Sequence, residues 1–130
     1  MLDFGKAIYH ILSGNTALAT LVNNNIYPLV VPEDAIFPCI HYTKTCEAEY
    51  SRDGISLLKY NVTITAITKG NEYENSINIA KAVQNCMNIN NSSVDGYNIR
   101  TSRLIAANEE FDFSNNYILQ TVVYQMNVTM

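Results

Sequence analysis

Apolar residues fall on every second position from Leu58 to Ala66: Leu58, Tyr60, Val62, Ile64 and Ala66, with Lys59, Asn61, Thr63 and Thr65 between them. A period of two over this length predicts a half-buried β-strand. After Lys69-Gly70-Asn71 the period lengthens to about 3.6, and Tyr73, Ile77, Ala80, Val83 and Met87 fall on one stripe of an amphipathic helix. This strand, turn and helix, Leu57 to Met87, form the predicted folding centre.

On its N-terminal side, Leu2 to Leu12 reads as a helix whose broad apolar face carries Leu2, Phe4, Ala7, Ile8, Ile11 and Leu12. Ser13-Gly14 stops it in the way glycine ends helices. Asn15 or Thr16 can cap a second, short helix bearing Ala17, Leu18, Leu21 and Val22. Asn23-Asn24-Asn25 ends that helix, since asparagine tolerates left-handed backbone. Ile26-Tyr27-Pro28 is extended, because a residue preceding proline is pushed out of the α region. Pro28, Pro32 and Pro38 bracket an irregular segment that includes Glu33 and Asp34.

Alternation resumes from Cys39 to Ser51, and Asp53-Gly54 is a hairpin signal. A plain two-residue turn there would set Glu47 opposite Tyr60 and Thr45 opposite Val62, which places polar residues on the face that strand 58–66 needs to bury. A three-residue loop, Arg52-Asp53-Gly54 with Gly54 left-handed, moves the register by one. Tyr42 then meets Ile64, Cys46 meets Tyr60 and Ala48 meets Leu58, with Lys44 against Val62 as the one misfit. Thirteen residues at roughly 3.3 Å each exceed a typical strand, so the outer part, Glu47 to Leu57, is expected to project from the body.

Beyond the helix, Asn88 to Gly96 reads as a polar loop and Tyr97 to Ala106 as a third strand. Ala107 to Asn116 reads as a polar connection. Tyr117 to Met130 reads as a strong last strand, with Ile118, Val122, Tyr124, Met126 and Val128 facing inward. The order predicts one α+β domain over residues 1–130. Its sheet is antiparallel or mixed, of about four strands, with helices packed on one face and a long projecting β-hairpin.

Length and composition fit this picture. The chain has 130 residues, the usual size of one domain, and 48% hydrophobic residues, enough to build a core. A net charge of −4, with only eight scattered Lys and Arg, argues against binding nucleic acid through its phosphates. No apolar run approaches the ~20 residues of a membrane helix, and no export leader opens the chain, so neither a membrane nor secretion is expected. Cys39, Cys46 and Cys86 lack CxxC or paired Cys/His spacing and read as reduced thiols of a cytoplasmic protein.

Reactive chemistry is sparse. The five glycines are isolated, so no phosphate-binding loop is present. His10 and His41 are the only imidazoles, one in a predicted helix and one in a strand. Cys39 and His41 share a strand face, but no orienting or oxyanion group accompanies them. Glu109, Glu110 and Asp112 lack the ligand spacing of a calcium loop and read as a solvated turn. No cofactor or metal is expected. Glu47, Glu49, Arg52 and Asp53 make a mixed-charge hairpin tip, either solubilising or partner-binding. Mixed charge suits pairing between copies of one protein. Phe111 and Phe113, interleaved with acids, either tuck under their loop or meet a partner.

The order and local wording of these segments resemble the small tail completion, or tail terminator, proteins of long-tailed bacteriophages and prophages. The resemblance is carried by Ala7-Ile8-Tyr9, Ala17-Leu18, Leu21-Val22, Asn25-Ile26-Tyr27-Pro28-Leu29, Phe37-Pro38 and Ile40-His41-Tyr42. It continues through the glycine-turned hairpin, Ala66-Ile67-Thr68, Ala80-Lys81-Ala82-Val83 and the closing strand Thr121 to Val128. Asn25 stands where many members carry Arg, and Ala66-Ile67 where members carry Trp or a similar large residue. The resemblance implies a non-enzymatic virion protein, made in the bacterial host cytoplasm. It would cap the head-proximal end of the tail tube as a ring, expected to be a hexamer, and end polymerisation. Its partners would be other copies of itself, the tail tube protein and the head connector protein. A head-closure, neck or minor tail protein of the same morphogenetic cluster is the alternative. The expected contact residues are Glu33, Asp34, Glu47, Glu49, Tyr50, Arg52, Asp53, Glu109, Glu110, Phe111 and Phe113.

Overall fold

A computed structural model describes residues 3–130. The expected first helix begins within this range, as α1 (Phe4–Ser13), and Leu2 lies outside the described residues. Phe4, Ala7, Ile8 and Leu12 bury its apolar face. Gly14 follows with a right-handed backbone, φ −75°. What requires glycine here is close approach, because a Cβ would lie 2.8 Å from the His10 carbonyl oxygen. Helix α2 (Thr16–Val22) is capped by Asn15, whose side chain accepts the Leu18 N–H at 2.9 Å. Asn23 and Asn24 then turn left-handed, φ 51° and 61°, and end it.

Among the described residues the sheet has six strands rather than about four: β1 (Ile26–Pro28), β2 (Cys39–Ser51), β3 (Gly54–Lys69), β4 (Ser92–Val94), β5 (Tyr97–Asp112) and β6 (Tyr117–Thr129). Helix α3 (Tyr73–Met87) joins β3 to β4. Strand order is β1-β2-β3-β6-β5-β4. The sheet is mixed, because β1 runs parallel to β2 while every other pair is antiparallel. The two additional strands are three residues long, too short to show a period. β1 is the segment expected to be extended and takes its partner from 14 residues away, whereas β4 pairs with β5 across a tight turn.

The expected inner register of β2 on β3 is present: Tyr42 opposite Ile64, Lys44 opposite Val62, Cys46 opposite Tyr60 and Ala48 opposite Leu58. The turn differs. Ser51 pairs with Gly54 (φ +111°), so only Arg52 and Asp53 lie between the strands, and the additional residue is Ser56, skipped between Ile55 and Leu57. Burial of the even-numbered face fixes the inner register, and the one-residue difference is absorbed near the exposed end.

The second correction concerns residues 107–116. Most of this expected polar connection is strand. β5 continues to Asp112, and only the turn 113–116 separates it from β6. Pairing with a strongly patterned partner overrides the low strand propensity of Asn108 to Asp112. Register shifts in β5 between Ile99 and Thr101 and between Leu104 and Ala106 break the period that would have shown it.

The core lies on the even face of β3 and β6. Leu58, Tyr60, Val62, Ile64, Ala66, Val122, Tyr124, Met126 and Val128 are buried there with α1 and α3 residues. Phe4 stacks on Tyr60 at 4.1 Å between ring centroids and meets Tyr97 edge-on at 5.1 Å. Each fully buried large apolar side chain contributes roughly 1.5–3 kcal/mol. The buried stripe of α3 is rotated from the expected one. Ser76, Ile79, Ala82, Val83 and Met87 are buried, whereas Ile77 and Ala80 flank them and Tyr73 is half exposed.

Candidate assembly surface

The expected contact residues separate into two groups at opposite ends of the strands. Glu47, Glu49, Tyr50, Arg52 and Asp53 occupy the β2–β3 turn and the strand ends leading to it, all exposed. Tyr50 shows 73% of its surface. Glu49 forms an ion pair with Lys59 at 2.7 Å, a surface contact screened by solvent. Holding Glu49 beside it raises the Lys59 pKa.

The other end holds Glu109, Glu110, Phe111 and Phe113. Glu109 accepts the Gln120 side-chain amide at 2.6 Å, and Glu110 accepts that of Asn108 at 2.8 Å. Phe111 and Phe113 meet edge-to-face, centroids 4.9 Å apart, and remain 40% and 89% exposed. They pack on each other at the surface rather than beneath the turn. Asp112 organises that turn by accepting the N–H of Ser114 (3.0 Å) and of Asn115 (3.3 Å) and the Asn115 side-chain amide (2.9 Å). The Asn115 amide, ahead of the backbone donors, lowers the Asp112 pKa.

Glu33 and Asp34 are exposed in the segment between β1 and β2. The same segment presents Leu29, Val30 and Ile36, each about two-thirds exposed. Phe37 stacks on Tyr117 at 4.4 Å, which brings this segment to the end of the sheet where β6 begins, beside the Phe111–Phe113 turn.

Burial shifts the titration of the groups that could have carried chemistry. Burial pushes the Cys39 thiol up to about 11 and the Cys86 thiol up to about 12. Burial lowers the His41 pKa, which favours the neutral imidazole. A thiol whose pKa is raised is a poorer nucleophile at neutral pH, because the thiolate is the reactive form. Among the described residues no group of three or more His, Cys, Asp and Glu could hold a metal ion, the Glu109–Asp112 cluster included.

Sequence reasoning missed one surface. From Arg103 to Phe111 every residue of β5 is exposed, including Leu104 (43%) and Ile105 (46%). β4 covers only the first part of its edge, up to Ile99. The signal was the adjacent pair Leu104-Ile105, which breaks strand alternation as a bulge does.

A family described as tail completion protein gp17 matches residues 6–126. No individual curated protein matches the chain. A chain from the virion of a native gene transfer agent (GTA) particle has the same fold at 16% identity. The superposition has a TM-score of 0.81 and covers 95% of this chain and 92% of that one.

Proposed function

The chain belongs to the tail completion protein gp17 family, and from that premise we propose that it caps the head-proximal end of a phage tail tube. It does so as a ring of six copies, stops tube polymerisation and offers a surface to the head connector protein. The family match over residues 6–126 is the observation that carries this reading. The fold shared with a chain of a GTA virion supports a structural role in a particle. The protein acts without catalysis or cofactor, in the virion after assembly in the host cytoplasm.

The distribution of exposed groups is compatible with a part that meets different neighbours on two sides. One end of the strands carries the mixed charges Glu47, Glu49, Arg52 and Asp53 with Tyr50. The other carries Glu109, Glu110, Phe111 and Phe113 beside the segment of Glu33 and Asp34. Apolar anchors ringed by acids suit one docking partner, and a charged tip suits another.

Negative-stain measurement of tube length tests the reading. Tail tube protein polymerised with this chain should give tubes that stop growing, each with density at one end. Tubes that overgrow normally in its presence would refute the capping role. Normal tube length with failure of heads to join in a strain lacking the gene would move it to the neck.

A further inference from the structure

The sheet leaves two strand edges open, one on each side. On one side β1 pairs with β2 only at Ile40 to Tyr42, and among the described residues no strand pairs with that edge from Thr43 to Ser51. On the other side β4 covers β5 only up to Ile99, and one further hydrogen bond reaches the Arg100 carbonyl from Asn91. Among the described residues no strand pairs with the β5 edge from Thr101 onward. Long exposed edges present unpaired N–H and C=O groups, a template for another strand. We infer that the open edge of β5 in one copy pairs antiparallel with the open edge of β2 in the next copy, making one continuous sheet through successive subunits.

Four observations converge on this partner. First, β2 and β5 run in opposite directions within the sheet. Adding the next copy's β2 beyond β5 therefore preserves the antiparallel order. Second, the lengths agree. Placing Thr101 opposite Ser51 sets Glu110 opposite Thr43 once the β5 bulge at Ile105 is allowed for. The open segment of β2 is used from end to end, up to the β1 contact, and on β5 only Phe111 and Asp112 run past it.

Third, in that register the charges and the faces agree. Arg103 stands opposite Glu49, and Glu109 stands opposite Lys44. Leu104 meets Ala48, and Ala107 meets Cys46. Fourth, the geometry closes. Arg103 lies level with Thr45 of its own chain, through Gln125 and Asn61, and Glu109 lies level with Ile40, through Gln120 and Ala66. Each pairing therefore shifts the next copy by four residues along the strands. A shift of about 13 Å, at ~3.3 Å per residue, across four strands ~4.8 Å apart tilts the strands by about 35°, at the lower end of the roughly 35–45° found in closed barrels. A heterologous contact of this kind can close a ring. Closure is the only part of the inference that rests on the capping proposal.

Disulfide trapping tests it. Ala107→Cys places a thiol opposite the exposed Cys46 of the neighbour, within the Cα separation of about 4.4–6.8 Å that a disulfide needs. Within one chain the two positions lie on strands three steps apart, roughly 14 Å, and cannot join. The full-length variant is oxidised with a copper reagent, both free in solution and on tail tubes, and resolved on non-reducing gels. The expected result is a reducible ladder of multimers whose cross-linked peptides join positions 46 and 107. Cys46→Ser should abolish the ladder, and Ala106→Cys, on the other face, should lower its yield at least tenfold. Far-UV circular dichroism checks that each variant folds.

Capped tubes without this cross-link would overturn the edge pairing and leave the capping role standing. A ladder on protein that does not cap tubes would do the reverse. Disulfides joining two copies of Ala107→Cys, in a Cys46→Ser background, would show a two-fold β5–β5 contact and overturn the inference. Protein that stays monomeric and uncross-linked in solution and on tubes would overturn it too.

Discussion

Two isoleucines two residues apart in α3 give the sharpest test of how the helix meets the sheet. Ile79 is fully buried, whereas Ile77 is only partly covered. Ile79→Ala removes three buried carbon groups at ~0.8 kcal/mol each, about 2.4 kcal/mol of transfer free energy. The cavity left between α3 and the sheet adds to this, for a total of about 3–4 kcal/mol within the 2–5 kcal/mol span of such truncations. The same change at Ile77 removes surface already partly wet and should cost about 1 kcal/mol. Urea unfolding followed by circular dichroism at 222 nm reads both. At an m-value of about 1.5 kcal/mol/M, Ile79→Ala should lower the midpoint by about 2–2.7 M and Ile77→Ala by about 0.7 M, with unchanged slope. An equal or larger loss at Ile77 would mean that the helix presents its other stripe to the sheet, and the packing of α3 described above would be wrong.

Other consequences are as specific. Asn15→Ala should destabilise by about 1 kcal/mol through loss of the α2 cap, while Thr16→Ala should be near neutral; thermal melts of both decide which residue caps. Tyr42→Phe removes the hydroxyl that donates to the Gly5 carbonyl at 2.8 Å and should cost about 1 kcal/mol by denaturant titration. Iodoacetamide should modify Cys46 promptly in the native protein and spare buried Cys39 until unfolding, as peptide mass mapping would show. Cys39 is pushed up from 9.0 to about 11 and Tyr42 from 10.0 to about 12, each chiefly by burial. The unfolded state therefore ionises first, and stability should be full below pH 9 and fall between pH 9 and 12. Melting temperature against pH should show that decline, and Cys39→Ala should flatten its lower part.

The elements that could be read in advance are those whose side chains repeat. Strand β3 and the inner face of β6 declared themselves through unbroken alternation, and the inner register of β2 followed from which face had to be dry. The short strands β1 and β4 carry no period, and their partners lie 14 residues away (Ile26 with Ile40) or across a turn. The outer half of β5 was hidden by composition. Asn108, Glu109, Glu110 and Asp112 have the chemistry of a loop, and only the ladder to β6 makes them strand. In α3 both Ile77 and Ile79 fit an amphipathic pattern, and only packing against the sheet selects Ile79. At the candidate surface the charged tip is exposed, and the sequence left open whether Phe111 and Phe113 would tuck under their loop or stand at the surface, where the structure places them. The open edges were unreadable, because an edge is defined by a strand that does not pair.

An open edge ordinarily invites aggregation, so its composition reflects opposing demands. The β5 edge carries Arg103 near one end, Glu109 and Glu110 near the other, and a bulge at Ile105 between them. Charges and bulges are the devices by which edge strands resist indiscriminate pairing. The apolar stretch Leu104 to Ala107 is therefore offered only to a strand that brings opposite charges at the right spacing and tolerates the additional residue. β2 has Lys44 and Glu49 at that spacing, on faces of matching parity. Surface charge pairs contribute little to affinity but penalise the wrong register. The same features can keep a free subunit soluble and select a single seam once copies are concentrated on a common template.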